Sequence, residues 1–224
     1  MTARGGYQLR VKICGLTNPT DALNAIALGA DALGFNFFQG SKRYLNFEEH
    51  AGWIGKLPPF VTRVAVLVNV PLEEALRIAE HPAIDVVQLH GDEDEVYCAQ
   101  FARSGRPFIK ALRLSGQSTL AGASDFSTPL VLIDAHVQGA FGGTGAEIDL
   151  SLAAQFVRQQ PLLTVILAGG LTPLNVVQAI ESVRPYAVDV ASGVELSARE
   201  KSVELMREFM ELSRGDRLQT AFKE

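Results

Sequence analysis

The chain predicts a closed (β/α)8 barrel, and three observations lead there. Strand and helix patterns alternate along almost the whole of its 224 residues, in eight units of strand-then-helix order. The strand Val165–Leu167 is apolar on both faces, as a parallel strand covered on both sides must be. No linker, repeat or low-complexity tract divides the composition, so a single domain is expected, in keeping with barrels of about 250 residues. A doubly wound open sheet is the runner-up, because pattern alone does not show closure. Residues 1–8 and 214–224 are expected to be peripheral tails, the second polar and frayed.

The elements follow in order. Leu9–Cys14 alternates as a strand does. Pro19 suits a first helical turn, with Ala22, Ala25, Ile26 and Gly29 on one face. Ala32–Phe38 is the second strand, and Phe47, Ala51 and Ile54 mark the next helix. Val61–Val68 is rich in β-branched residues, and Leu72, Ala75, Leu76 and Ala79 stripe a helix after Pro71. Ile84–Leu89 precedes a helix with acidic residues, Asp92–Glu95, in its first turn, where the helix dipole favours them. Phe108–Leu112 is the fifth strand, and the weakly patterned Ser115–Ala123 reads as a short helix. Leu130–Asp134 is followed by a helix striped with Leu152, Ala153, Phe156 and Val157. The seventh strand lies in Leu163–Thr172 and leads to a helix bearing Val176, Ile180 and Val183. Ala187–Val190 is the eighth. Ser197 and Glu200 have the spacing of a capping box for a last helix ending near Leu212.

Bulk properties exclude several functions. Hydrophobic residues are 47% and charged residues 20%, enough for a large core and too apolar for disorder. A net charge of −5 argues against a nucleic-acid surface. No apolar run reaches the ~18 residues that span a bilayer, and Met1–Gln8 lacks the apolar block of a signal peptide. Two cysteines, Cys14 and Cys98, make no disulfide framework, so a cytoplasmic setting with free thiols is expected. Cysteines and histidines are scattered, and no metal site is expected. The glycines after the sixth strand lack the spacing of a dinucleotide fingerprint.

Chemistry in such a barrel belongs to the strand C-termini and the loops after them. The seventh strand stops at Gly169-Gly170, and Thr172-Pro173 reads as an N-cap followed by a proline at the first helical position. A second glycine turn, Ala191-Ser192-Gly193, follows the eighth strand. Either turn alone needs glycine only for its backbone angles. Two after consecutive strands suggest one phosphate held between them by bare N–H groups and helix termini. Gly142, Gly143 and Gly145, after the sixth strand, add a third cluster.

Among reactive side chains at the rim, Cys14 and Asp134 are the pair able to divide base and acid work. A cysteine at a strand end is ordinarily a small buried hydrophobe. Here Lys12 lies on the same strand face, and a buried lysine needs a partner. Asp189 on the adjacent eighth strand is the expected one, with the ammonium favouring a thiolate at Cys14. Asp134 could merely cap its loop, but the apolar run Leu130–Ile133 before it favours a desolvated carboxyl suited to giving up a proton. His90 is either a core histidine bonded to backbone or a substrate contact. Arg43 is either a surface charge or, beside Ser41, a bidentate receptor for a carboxylate.

Seven motifs now stand at the rim: VKICGLT (Val11–Thr17), GSKRY (Gly40–Tyr44), VQLHG (Val87–Gly91), LIDA (Leu132–Ala135), GGTG, LAGGL (Leu167–Leu171) and VDVASGVE (Val188–Glu195). From about residue 10 to 210, and in this order, they resemble the phosphoribosylanthranilate isomerase family of tryptophan biosynthesis. The resemblance implies an Amadori rearrangement without cofactor, on a small phosphorylated sugar–anthranilate substrate, in a monomer or homodimer. It implies Cys14 as general base and Asp134 as general acid. Arg43, His90 and Asp189 would line the substrate, and Gly142, Gly143, Gly145, Gly169, Gly170, Ser192 and Gly193 would grip the phosphate. Two positions depart from the family pattern. Lys42 stands where proline is frequent, and Ala146 stands where a lysine often follows GGTG.

Other readings use the same scaffold. Indole-3-glycerol-phosphate synthase shares barrel and phosphate grip, but it has a long N-terminal extension and a lysine where Asn69 stands after strand three. A sugar-phosphate epimerase would show paired aspartates and metal-binding histidines. A non-catalytic sugar-phosphate sensor would need neither Cys14 nor Asp134.

Overall fold

The computed structural model describes residues 9–114, 126–135 and 148–215. Eight parallel strands close into a barrel: β1 (Arg10–Cys14), β2 (Ala32–Asn36), β3 (Thr62–Leu67), β4 (Val86–Leu89), β5 (Phe108–Leu114), β6 (Leu130–Ala135), β7 (Thr164–Leu167) and β8 (Ala187–Val190). Each pairs with the next, and β8 returns to β1 with Lys12 opposite Asp189. The closed barrel, not the open sheet, is therefore the fold. Outside it lie α1 (Pro19–Ala27), α2 (Phe47–Ile54), α3 (Leu72–Glu80), α4 (Glu95–Ala102), α5 (Leu150–Gln159), α6 (Val176–Val183) and α7 (Val203–Arg214). The helix expected over Ser115–Ala123 lies outside the described residues. No helix among the described residues is long and apolar enough to cross a membrane.

Side chains alternate between the two faces of each strand, and this sorts the core into two parts. Val11, Ile13, Leu33, Phe35, Val131, Ile133 and Val165 point outward into the large cluster under the helices. Val64, Ile109, Ala111, Leu132, Ile166, Ala168 and Ala187 fill the barrel interior. Two residues beyond the inward Leu132 is Asp134, and the inward Lys12 is followed by Cys14. The interior thus changes from apolar to polar toward the strand C-termini.

Several helix starts follow short polar caps. Asn18 accepts from the Asp21 amide at 2.8 Å ahead of Pro19, and Asp94 accepts from the Tyr97 amide at 2.8 Å. Several sequence expectations need correction. First, α6 begins at Val176 rather than Pro173: the Thr172 amide donates to Asn175 Oδ1 at 2.8 Å, and Asn175 Nδ2 donates to the Gly170 carbonyl at 3.0 Å, which holds the intervening residues in a turn. Second, Ser197 and Glu200 do touch, at 3.2 Å, but across a hairpin of β9 (Glu195–Ser197) and β10 (Glu200–Lys201). The cap of α7 is Ser202, which accepts from the Leu205 amide at 3.2 Å. Arg214 closes α7 and donates to the Gly29 carbonyl, so it is not part of a frayed tail.

Third, Asp92 and Glu93 precede α4 instead of filling its first turn. Glu93 is buried under the β4–α4 loop. Its Oε1 accepts from the Asn69 amide at 2.8 Å, and its Oε2 from the Gly91 amide at 2.9 Å and Lys110 Nζ at 2.7 Å. Lys110 also donates to the Gly91 carbonyl at 2.9 Å. The loop that begins at His90 is thus tied to β5 through a buried ion pair. Glu93→Ala would leave the Lys110 ammonium buried without its counter-charge, and urea unfolding is expected to show a loss of about 3–5 kcal/mol.

Candidate active site

The working end of the barrel is the mouth at the strand C-termini. Cys14, partly exposed, ends β1 on the inward face. Lys12, one inward position below, is 3% exposed and donates to Asp189 Oδ1 at 2.8 Å across the β1–β8 seam. The expected Lys12–Asp189 pair is therefore present. Opposite Cys14 on β2 stands Gly34, where a Cβ would lie 2.6 Å from the sulfur and 3.1 Å from Lys12 Nζ. Sequence reasoning passed over Gly34, although a glycine inside a strand is itself a sign of close approach.

The charge balance at the sulfur runs against the expected thiolate. Burial is the largest influence and pushes the Cys14 thiol up; the Lys12 ammonium pulls it down, and the Asp189 carboxylate pushes it up again. The net direction is upward. Burial also works against the charge on Lys12, but Asp189 and the sulfur outweigh it. Asp189 thus keeps the lysine charged while spending part of the field that the sulfur would feel.

Asp134 ends β6 on the same inward face, with its side chain 13% exposed. Its Oδ1 accepts from the Ala135 amide at 2.8 Å, and its Oδ2 lies 3.4 Å from His90 Nε2. The other ring nitrogen, Nδ1, is 2.6 Å from Gln88 Nε2. Donation by that amide makes Nδ1 the acceptor, which leaves Nε2–H facing Asp134. Among the described residues the His90 ring is thus bonded to Gln88 and approaches Asp134, both side chains of the mouth. Gln88, 1% exposed, was missed in the sequence, where VVQL reads simply as strand.

The glycine turns lie between these two groups. β7 and β8 separate β6 from β1. Gly169 and Gly170 have φ of +92° and +64°, a conformation that side chains rarely adopt. A Cβ on Gly169 would approach Asp134 Oδ1 to 3.1 Å, so that turn packs directly on the carboxyl. A Cβ on Gly193 would lie 1.9 Å from the Leu171 carbonyl. The two turns are thus in contact, with Ser192–Val194 forming a single 3-10 turn. Gly142, Gly143 and Gly145 lie outside the described residues.

Arg43 is 7% exposed, so it is not a surface charge. Its Nε and Nη2 hold Glu195 Oε1 and Oε2 at 2.7 and 2.5 Å. The carboxylate it meets here belongs to the chain itself. Its side chain lies across Gly15, where a Cβ would fall 2.2 Å from Arg43 Cδ, which places the guanidinium stem beside the peptide that follows Cys14. Glu195, buried among cations, was not singled out from the sequence. Burial pushes its carboxyl up, but hydrogen bonding to Arg43 and the charge of Lys201 carry it below its ordinary range. No group of three or more His, Cys, Asp or Glu suited to a metal occurs among the described residues.

Thiol and carboxyl on the inward rim, with paired glycine turns on the strands between them, give the chain the form of a (β/α)8-barrel enzyme. The comparisons narrow that class. A family model, N-(5'-phosphoribosyl)anthranilate (PRA) isomerase, matches residues 11–212. The N-(5'-phosphoribosyl)anthranilate isomerase of Citrifermentans bemidjiense is 45% identical over 198 residues, covering 88% of this chain and 93% of that one. That of Thermotoga neapolitana is 44% identical over 207 residues, covering 92% and 99%. Among solved structures, the isomerase from Thermotoga maritima superposes with a TM-score of 0.83 at 38% identity, covering 92% and 99%. A phosphoribosylanthranilate isomerase in complex with reduced 1-(o-carboxyphenylamino)-1-deoxyribulose 5-phosphate gives 0.81, at 38% identity and the same coverage. The chain belongs to the phosphoribosylanthranilate isomerase family.

The thiol chemistry is open to measurement. Because only the thiolate is alkylated, a raised pKa means less reactive sulfur at any given pH. Iodoacetamide modification of Cys14 is expected to rise with pH and reach its midpoint above that of an unperturbed cysteine. A midpoint below it, read by mass spectrometry at that residue, would restore the thiolate picture.

Proposed function

We infer that the protein converts N-(5-phospho-β-D-ribosyl)anthranilate to 1-(2-carboxyphenylamino)-1-deoxy-D-ribulose 5-phosphate, the isomerisation step of tryptophan biosynthesis. Family membership supports the reaction. The arrangement that supports the residue roles is the shared inward rim of Cys14 and Asp134, with the two touching glycine turns on the staves between them. The phosphate sits at Gly169-Gly170 and Ser192-Gly193, with Gly142, Gly143 and Gly145 completing the grip by resemblance. That fixes the sugar between acid and base.

Asp134 in its acid form gives its proton to the furanose ring oxygen, and the C1–O bond breaks as the nitrogen lone pair forms a protonated Schiff base. The cationic nitrogen acidifies the C2 hydrogen. It also places a positive charge near the sulfur, which favours the thiolate that burial alone disfavours. Cys14 takes the C2 proton, and the electron pair neutralises the Schiff base as an enolamine. Tautomerisation of the enol carbon gives the ketone, with no redox partner required. His90, through Nε2–H, orients the Asp134 carboxyl and stabilises its anionic form after proton transfer. Asp189 acts through Lys12, and Arg43 turns part of its fork to the anthranilate carboxylate. The oligomeric state is that of a monomer or homodimer, the Thermotoga maritima relative being described as dimeric with monomeric forms generated from it.

The test is to generate phosphoribosylanthranilate in situ and follow the loss of its fluorescence with the purified chain. Cys14→Ala and Asp134→Asn are each expected to lower kcat by roughly 10²–10⁴-fold, the usual worth of a proton-transfer group. Turnover near the parent rate in both variants would remove the assignment.

A further inference from the structure

Glu195 and Lys201 belong to the β9–β10 hairpin, and neither touches a reacting atom in the chemistry above. Their side chains are 5% and 1% exposed. Lys201 Nζ donates to Glu195 Oε1 at 2.7 Å, to the Cys14 carbonyl at 2.7 Å and to the Ala191 carbonyl at 2.9 Å. All three donors of the ammonium are committed. One acceptor is the backbone of the residue that carries the sulfur. Another is the peptide that leads into the Ser192–Gly193 turn. Glu195 in turn spends both oxygens on the Arg43 fork, sharing Oε1 between Arg43 and Lys201. One ion pair therefore reaches the backbone of the sulfur-bearing residue, the peptide before the Ser192–Gly193 turn and the guanidinium. Stability is a poor reason to keep it, since a buried pair is commonly matched or bettered by apolar residues of the same volume.

We propose that Glu195 and Lys201 are positioning residues that couple the carboxylate-binding end of the site to the Cys14 sulfur. The proposal rests on the reading of the site given above. Glu195 aims the Arg43 fork, and Lys201 carries the restraint to the end of β1 and the start of the β8 turn. Charge makes the link reciprocal. Among the described residues, the charged groups that face Cys14 are Lys12 on its own strand, Asp189 on β8, Lys201 on the hairpin and Arg43 from the β2–α2 loop. Burial drives the Lys201 ammonium toward its neutral form, against the pull of Glu195. Taking the charge from Glu195 thus loosens Arg43 and at the same time weakens a cation that faces the sulfur.

Lys201→Met and Glu195→Gln in the full chain are the test. Each is read by thermal midpoint, by steady-state turnover of phosphoribosylanthranilate, and by the pH dependence of iodoacetamide alkylation at Cys14, located by mass spectrometry so that buried Cys98 does not contribute. Lys201→Met is expected to lower kcat roughly 10–100-fold with a smaller change in KM, as loss of a group that holds a working residue does. Its alkylation midpoint is expected to move to higher pH, because a cation favouring the thiolate is gone. Glu195→Gln is expected to raise KM most and to move the alkylation midpoint in the same direction. A Glu195→Gln enzyme with raised KM and the parent alkylation profile would show that the two ends are independent and overturn the proposal. So would variants that lose only thermal stability. If Lys201→Met fails to fold, Glu195→Gln decides alone through the same two readouts. A parent chain that alkylates as described but does not turn over phosphoribosylanthranilate would retire the reaction, while the alkylation shifts would still judge the coupling.

Discussion

The structure depends on a pair of opposite charges at the seam where the barrel closes. Lys12 and Asp189 face each other from β1 and β8, 2.8 Å apart and almost wholly enclosed. Two charges taken out of water gain little unless both are well bonded. Their geometry supplies that, and it also pins the register of the last strand on the first. A slip of one residue there would turn Lys12 into the apolar layer under the helices and Ile13 into the mouth. Cys14, one inward position beyond Lys12, would lose its place with it. The seam pair thus stabilises a particular closure, and the closure puts the sulfur where chemistry is possible.

The mouth is assembled from contacts that only glycine permits. Gly34 lets sulfur and ammonium lie against β2, Gly15 lets the Arg43 stem cross the chain, Gly169 lets its turn rest on Asp134, and Gly193 lets one turn pack on the other. A Cβ at each would come within 3 Å of an atom of the site or of the turn beside it. Close approach of bare backbone gathers groups from β1, β2, β6, β7 and β8 at one end of the barrel. Beneath them the apolar interior of Leu132, Ile166 and Ala187 keeps water away and strengthens every charge interaction above it.

Much of this was legible in the sequence because it depends on short-range pattern. Period-two alternation placed Lys12 with Cys14, and strand order then predicted Asp189 as the partner of Lys12. The rest depends on what arrives from elsewhere in the chain. Arg43 finds its carboxylate 152 residues away, a distance at which no local pattern speaks. Ser197 and Glu200 have capping-box spacing, but the buried Lys201 between them and α7 holds that stretch as a hairpin and hands the cap to Ser202. Thr172-Pro173 looks like a helix start until Asn175 folds its side chain back to Thr172 and Gly170. For Cys14 the sign itself was misjudged: a neighbouring lysine is visible in the sequence, whereas the depth of burial that outweighs it is not.

That misjudgement bears on how such a site works. A sulfur held fully ionised at rest would need cations whose field is not spent elsewhere, and the described cations around it are all engaged, Lys12 by Asp189 and both Lys201 and Arg43 by Glu195. Paired cations pull on the thiol less than desolvation pushes it up, and a further positive charge arriving with the ligand would oppose that push. In the reaction proposed above a protonated Schiff base would carry that charge, and it would exist only after ring opening by Asp134. Base strength would then develop at the step that uses it, because the field that favours the thiolate is produced by the preceding proton transfer. The pairing of the resting cations is on this view part of the mechanism: cations already engaged before the reaction leave the intermediate's own charge as the new one the sulfur experiences.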